Sequence, residues 1–254
     1  MFKGRIRVDE LRKALAICLA INNDHKIIIS KECWKTARPD TSNACMASVV
    51  LNRSLFETYH LDEDELSIGL DLKKIFPIFP TGKTEAFVDI KFEDNKIELV
   101  FEKYKYSLRA ISINYVGGDT IKLNNAIEKI ITGNTCKFKM DIKTLKESLN
   151  MIKKINETPA MCVIFENKNH TLKLLYSENA GDSLELTQTT ECEGDDAVAT
   201  YGGDYLIPLV KELSEYDSLM NCSFGNGRPI YWELHTDGLD IKIVIAPRIP
   251  PKND

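Results

Sequence analysis

Apolar residues recur along this chain at two spacings, one near 3.6 and one near 2, and the spacing changes at a few punctuated points. Leu11, Ala14, Leu15 and Cys18 fall on one face of a helix, with Asp9 placed to cap it and Arg12 and Lys13 off that face. Between Lys26 and Leu51 the runs HKIIIS and CMASVVL read as strands around the turn RPDTSN, where Pro39, Asp40 and Asn43 favour a tight loop. Phe56 to Tyr59 closes that region. A short helix starting at Asp71 has to stop near Pro77, because an interior proline removes a hydrogen bond and clashes with the preceding turn. Residues 86–92, 96–102 and 104–113 then read as antiparallel strands, with Glu93-Asp94-Asn95 as a turn.

The second half follows the same order. Asp141 caps a helix running to about Ile155, and Thr158-Pro159 breaks the chain. Strand-like runs follow at 160–166, 171–177, 183–189 and 196–201, and a helix begins near Asp204 with Pro208 expected in its first turn. The last strands are 219–224, 229–236 and 239–246, with Asp237-Gly238 as a hairpin turn. Phe2-Lys3 before VDELRKALAICLAI answers Phe138-Lys139 before MDIKTLKESLNMIKKI, and GLDLKKIF answers GGDYLIPLVKEL. A pattern repeated over half the chain means two copies of one domain. The boundaries predicted are 1–115, a connector over 116–135, and 136–254, in an α+β arrangement of antiparallel sheets with two helices per half. The connector opens on Gly117-Gly118 and closes on Gly133-Asn134, and its Leu123, Ile127, Ile130 and Ile131 also allow a helical turn.

Composition narrows the class. With 254 residues, 43% hydrophobic and 28% charged, the chain is long enough for two domains and has no low-complexity tract. Seven scattered cysteines without a paired spacing speak against zinc and for reduced, buried thiols. ALAICLAI at 14–21 superficially resembles a leader, but Asp9 and Glu10 stand in the wrong place and the run has an internal counterpart at 140–155. No run is long and apolar enough to span a bilayer.

The net charge of −5 argues against a general polycation, yet the charge is segregated. On the helix over 141–155, Ile142, Leu145, Leu149 and Ile152 cluster within about 80°, and Lys143, Lys146, Asn150, Lys153 and Lys154 fill an adjoining sector of about 100°. Such a stripe can line the path of a polyanion, lysines meeting phosphates as point charges without reading bases. Taken alone, a lysine-rich face is ordinarily just solvated. Basic residues on the other helices (Arg12, Lys13, Lys73, Lys74 and Lys211) add to it. Chemistry of other kinds finds no footing. Gly82-Lys83-Thr84 resembles the end of a phosphate-binding loop, but Pro77 stands where its first glycine belongs. His25, His60, His170 and His235 are far apart, with no nucleophile motif. No catalytic residue, metal or cofactor is expected.

These features together resemble the sliding clamps of the proliferating cell nuclear antigen family. The pieces are Phe2-x-x-Arg5-Ile6, RPDTSNACMASVVL at 38–51, Phe56-Glu57-Thr58-Tyr59, LTQTT at 186–190, Gly203-Asp204-Tyr205-Leu206 and the final Ala246-Pro247-Arg248-Ile249. The resemblance implies the DNA clamp fold and a head-to-tail homotrimer closing a ring around duplex DNA, helices inside and sheets outside. It implies a processivity factor for DNA replication and repair that tethers DNA polymerase, the clamp loader, flap endonuclease and ligase through short peptide motifs. DNA would meet Arg12, Lys13, Lys73, Lys74, Lys143, Lys146, Lys153, Lys154 and Lys211. The partner-peptide pocket would comprise Asp40, Asn43, Ala44, Met46, Ile127, Ile130, Ile131, Pro229, Val244, Ala246, Pro247 and Arg248. The subunit seam would pair an edge strand carrying Tyr106, Leu108 and Ile111 with one carrying Leu174, Tyr176 and Asn179. Location would be cytoplasmic and nucleoid-associated in an archaeon, nuclear in a eukaryote. The alternative is a subunit of a heteromeric or specialised clamp, checkpoint-like or viral. The usual connector proline is missing, and prolines at 77 and 80 stand where the family often has basic residues.

Overall fold

The computed structural model describes residues 1–80, 85–116, 120–155, 162–177 and 183–248. Gly82-Lys83-Thr84 and Asn179 therefore lie outside the described residues. The chain divides into two compact units, Met1–Asn124 with His235–Ile241 and Asn125–Leu234 with Lys242–Asp254.

The first unit runs β1 (Phe2–Arg7), α1 (Val8–Ile21), β2 (Asp24–Ser30), β3 (Cys33–Pro39), β4 (Cys45–Asn52), β5 (Phe56–Leu61), β6 (Glu65–Asp71), α2 (Leu72–Ile75), β7 (Phe87–Glu93), β8 (Lys96–Phe101) and β9 (Tyr104–Arg109). Strands pair antiparallel in the order β5-β1-β7-β8-β9, and β6-β2-β3-β4 are neighbours in a second sheet. Alternation along β1 buries Phe2, Gly4 and Ile6. Phe2 lies edge-on to Trp34 and to Tyr59, each with ring centroids 5.1 Å apart, and Phe56 packs 5.0 Å from Tyr59. The aromatic residues of the opening strand and of the Phe-x-x-Tyr run are thus one core cluster, pinned where the Tyr59 hydroxyl donates to the Ser30 carbonyl at 2.6 Å.

Three local expectations change. Asp9 does not cap α1: the helix starts at Val8 after an extended Arg7, and the nearly buried Asp9 accepts from Arg7 Nε at 3.2 Å within the first turn. Both β3 and β6 form where strands were not assigned. In β6, Gly69 lets the chain after β9 approach, the Ile111 N–H donating to its carbonyl at 2.9 Å, whereas a Cβ there would sit 2.4 Å from the Ile111 oxygen. The Asp94-Asn95 turn carries φ of 49° and 61°, the left-handed pair that suits a tight antiparallel hairpin.

The connector is helical. α3 (Thr120–Gly133) fills most of 116–135, with Ile127 buried, Ile130 and Ile131 half-buried, and Glu128, Lys129 and Thr132 exposed. Its end is fixed in the second unit by buried Asn134, whose Nδ2 donates to the Ser223 carbonyl at 3.0 Å and the Pro229 carbonyl at 3.1 Å.

The second unit continues with β10 (Cys136–Asp141), α4 (Ile142–Ile155), β11 (Cys162–Lys168), β12 (Thr171–Ser177), β13 (Ser183–Gly194), β14 (Ala197–Gly202), α5 (Gly203–Leu213), β15 (Leu219–Phe224), β16 (Ile230–Thr236) and β17 (Leu239–Ile245). Its strands lie in the order β14-β11-β12-β13-β10-β15-β16. The tip of the β16–β17 hairpin, His235–Ile241, belongs to the first unit, where the Asn52 N–H donates to the Gly238 carbonyl at 2.8 Å. α5 starts at Gly203, so Pro208 is its sixth residue and not in its first turn; the exposed proline leaves the Asp204 carbonyl without its helical donor. The repeat extends to hydrogen bonds: Arg248 N–H donates to the Thr200 carbonyl of β14 at 2.7 Å, as Ile111 does to Gly69 of β6.

Cys18, Cys45, Cys136, Cys192 and Cys222 are buried and Cys33 is half-buried. Burial pushes the Cys18 thiol up to about 12, so it is no nucleophile. His25 is buried between the Thr36 hydroxyl at 3.2 Å and the Cys18 carbonyl at 2.9 Å, and burial lowers it to about 4.

Candidate nucleic-acid interface

α4 begins where the sequence places it. Asp141 accepts from the Thr144 N–H at 2.8 Å and its hydroxyl at 2.5 Å, and these bonds hold the carboxyl below its usual range. Ile142, Leu145, Ser148, Leu149 and Ile152 are buried, and Lys143, Asn150, Lys153 and Lys154 are exposed. Lys146 is half-buried, because its Nζ donates to Ser214 Oγ at 2.9 Å just beyond α5. Lys143 reaches the same turn, 2.9 Å from Asp217. Lys153 and Lys154 pair with no carboxylate among the described residues. Lys211 is exposed on α5 and stands 3.1 Å from Glu212.

In the first unit, Arg12 lies over the Phe76 ring at 5.3 Å, and Lys13 stands 3.7 Å from Glu10. Lys73 and Lys74 are both exposed on α2, which Asp71 caps by accepting from the Lys74 N–H at 3.3 Å. The cations thus form one group per unit. The sequence identified these lysines by period, but not Ser214 and Asp217, which lie in a turn without a periodic signal.

The residues expected to receive peptides divide between the units. In the first, Asp40 organises its loop by accepting from the N–H groups of Ala44 and Cys45, both at 2.8 Å. Asn43 is exposed at φ 58°, and Met46 is buried. In the second, Val244 and Ile127 are buried, Pro229, Ala246 and Pro247 half-buried, and Arg248 donates to Asp204 at 2.7 Å. A cleft of about 690 Å³ in this unit takes Ile131, Leu219 and Tyr231 as its apolar lining, with Lys137, Lys139 and Glu193 beside them. It shares only Ile131 with the expected set.

The expected seam needs correction. Tyr106 and Leu108 do lie on β9, the edge of its sheet. Ile111 does not, having turned to bridge Gly69. Leu174 and Tyr176 are buried on β12, which is hydrogen-bonded to β11 on one side and β13 on the other. The open edge is the first half of β13: β10 pairs with β13 only at Cys192–Gly194, so residues 183–190 have a partner on the β12 side alone among the described residues. β13 runs twelve residues, longer than its alternation suggested.

A family model described as repair protein Rad1/Rec1/Rad17 matches residues 4–204. A DNA polymerase sliding clamp of Methanosarcina barkeri is 24% identical over 257 residues, covering 98% of this chain and 99% of the relative. Among solved structures, one titled "C-terminal region of FEN-1 bound to A. fulgidus PCNA" superposes with a TM-score of 0.84 at 20% identity, covering 99% of this chain and 100% of that one. The PCNA2-PCNA3 complex from Sulfolobus tokodaii gives 0.79 at 19% identity, covering 97% and 99%.

Proposed function

This chain belongs to the sliding-clamp family whose model is described as repair protein Rad1/Rec1/Rad17, and on that premise we propose that it encircles duplex DNA and tethers replication and repair enzymes as a processivity factor. The observation that carries the reading is the near full-length likeness to a DNA polymerase sliding clamp, in a chain whose α4 turns a lysine face outward. Such a protein works without catalysing a reaction. Its partners are duplex DNA of any sequence, polymerase, clamp loader, flap endonuclease and ligase, and other copies of itself. In an archaeon it works at the nucleoid, in a eukaryote in the nucleus.

Self-association has support within each unit. β4 and the first half of β13 hold the same place in the repeat, as do β17 and β9. β4 receives the tip of the β16–β17 hairpin beside Asn52, whereas among the described residues the first half of β13 has no such neighbour and β9 offers an open edge. A second copy's β9 fits the vacancy, and a head-to-tail contact of this kind repeats until a ring closes. The faces match in chemistry. β9 carries Tyr106 and Leu108 on one face and Lys105 and Arg109 on the other; β13 carries Leu184 and Leu186 opposite Glu185. On α4, exposed Met151 and Ile155 lie at roughly 80–120° from Lys143, on the flank away from the residues that meet α5. A cup of about 200 Å³ beside β9, floored by Leu70, Ile75, Ile97 and Leu108, can receive such side chains from a second copy.

The test is light-scattering mass together with retention on DNA. The homotrimer reading expects about three times 28.8 kDa, and, after loading, retention on circular DNA that is lost on linearisation. Retention on neither form would sink the clamp reading. A stable monomer would favour the heteromeric alternative, to which the repair-protein description gives a specific reason. Turnover of ATP by the chain alone would overthrow the non-catalytic assignment.

A further inference from the structure

Four of the nine cations assigned to DNA stand within 3.7 Å of a carboxylate of their own unit: Lys13 by Glu10, Lys74 by Asp71, Lys143 by Asp217 and Lys211 by Glu212. Three of these pairs are local in sequence. The fourth joins two elements, since Lys143 lies in the first turn of α4 and Asp217 in the turn after α5. That turn also holds Lys146 through Ser214, whose own hydroxyl donates to the Lys211 carbonyl at 2.7 Å.

We infer that Asp217 is an internal competitor for phosphate at Lys143 and so sets how firmly the α4 stripe grips a duplex. The inference rests on the clamp reading above. Asp217 is 89% exposed and Lys143 57%, so a phosphate can reach the ammonium and displace the carboxylate. An exposed pair of this kind is weak and exchanges readily. The Asp217 carboxylate nevertheless holds the Lys143 proton more tightly than usual. A cation already neutralised from within contributes less to the release of condensed counterions when DNA arrives, so its share of the affinity shrinks. Lys153 and Lys154, nearly three helical turns further on and without a carboxylate partner among the described residues, keep their full share. For a protein retained by encirclement, a grip moderated in this way favours movement along the duplex over arrest.

The test measures binding of the full chain, in the oligomer it forms, to a short blunt duplex as salt is raised. Asp217→Asn is expected to raise affinity about threefold at low salt. It should also steepen log K against log salt, by up to about 0.9 for each lysine released onto a phosphate. Adding Lys143→Met should erase both gains. Thermal melting should not move, because both side chains are largely exposed. If Lys153→Glu weakens binding while Asp217→Asn leaves the salt slope unchanged or lowers affinity, Asp217 only fastens α4 to α5 and the inference fails alone. If neither substitution alters binding, the assignment of α4 to DNA fails with it.

Discussion

Burial moves the chemistry of His25 well away from that of a histidine in water. Burial holds it neutral, with the Arg38 charge a smaller contribution in the same direction, and its value falls from 6.5 to about 4. The unfolded chain therefore takes up a proton on His25 at a pH where the folded chain does not. Stability is unaffected above about pH 6.5, declines as pH falls towards 4, and levels off below, a total loss of ~3 kcal/mol. His25→Gln should flatten the urea midpoint between pH 6.5 and 4 relative to the parent, and an unchanged decline would assign the effect elsewhere. The sequence did not reveal this role, because one histidine beside an apolar run looks the same whether buried or not. Residue-scale capping was legible only in part. Asp141 precedes Thr144 at the spacing that lets both its bonds form, while Asp9 comes two residues after Arg7, which ends β1 and takes the cap position itself.

At the scale of elements, α1, α4 and α5 were readable because each buries one face against a sheet, and the period survives in sequence. α3 was readable only as one option for the connector: its glycines lie at the ends, and nothing between them breaks a helix. β13 misled for a physical reason. Up to Glu191 it pairs with β12 and over Cys192–Gly194 with β10, so one strand serves two neighbours in succession and its length is hidden. The exposed flank of α4 was hidden too, because Met151 and Ile155 read as strays from the apolar stripe. Replacing both with aspartate is expected to leave melting within a degree or two, since each is about half exposed. The same change should reduce the sedimenting species to a monomer by placing charge where a second copy's apolar cup would close. A ring that survives this change would move the subunit contact off α4.

For the whole molecule, the repeat was the most legible feature and the division of the chain the least. Matching strand by strand suggested two consecutive domains, yet the first unit takes in His235–Ile241 from near the far end of the sequence. No local signal announces this, because the hairpin that supplies it reads like any other. The consequence is one of timing. As a ribosome delivers the chain from its amino end, the first unit emerges nearly whole but lacks the tip that satisfies Asn52, and it waits through most of synthesis for that tip. A fragment ending at Asn124 should then melt well below the intact protein and tend to aggregate through the bare side of β4. Supplying residues 230–245 as a separate peptide should restore it, and a fragment equally stable without the peptide would show that the late-arriving tip is dispensable.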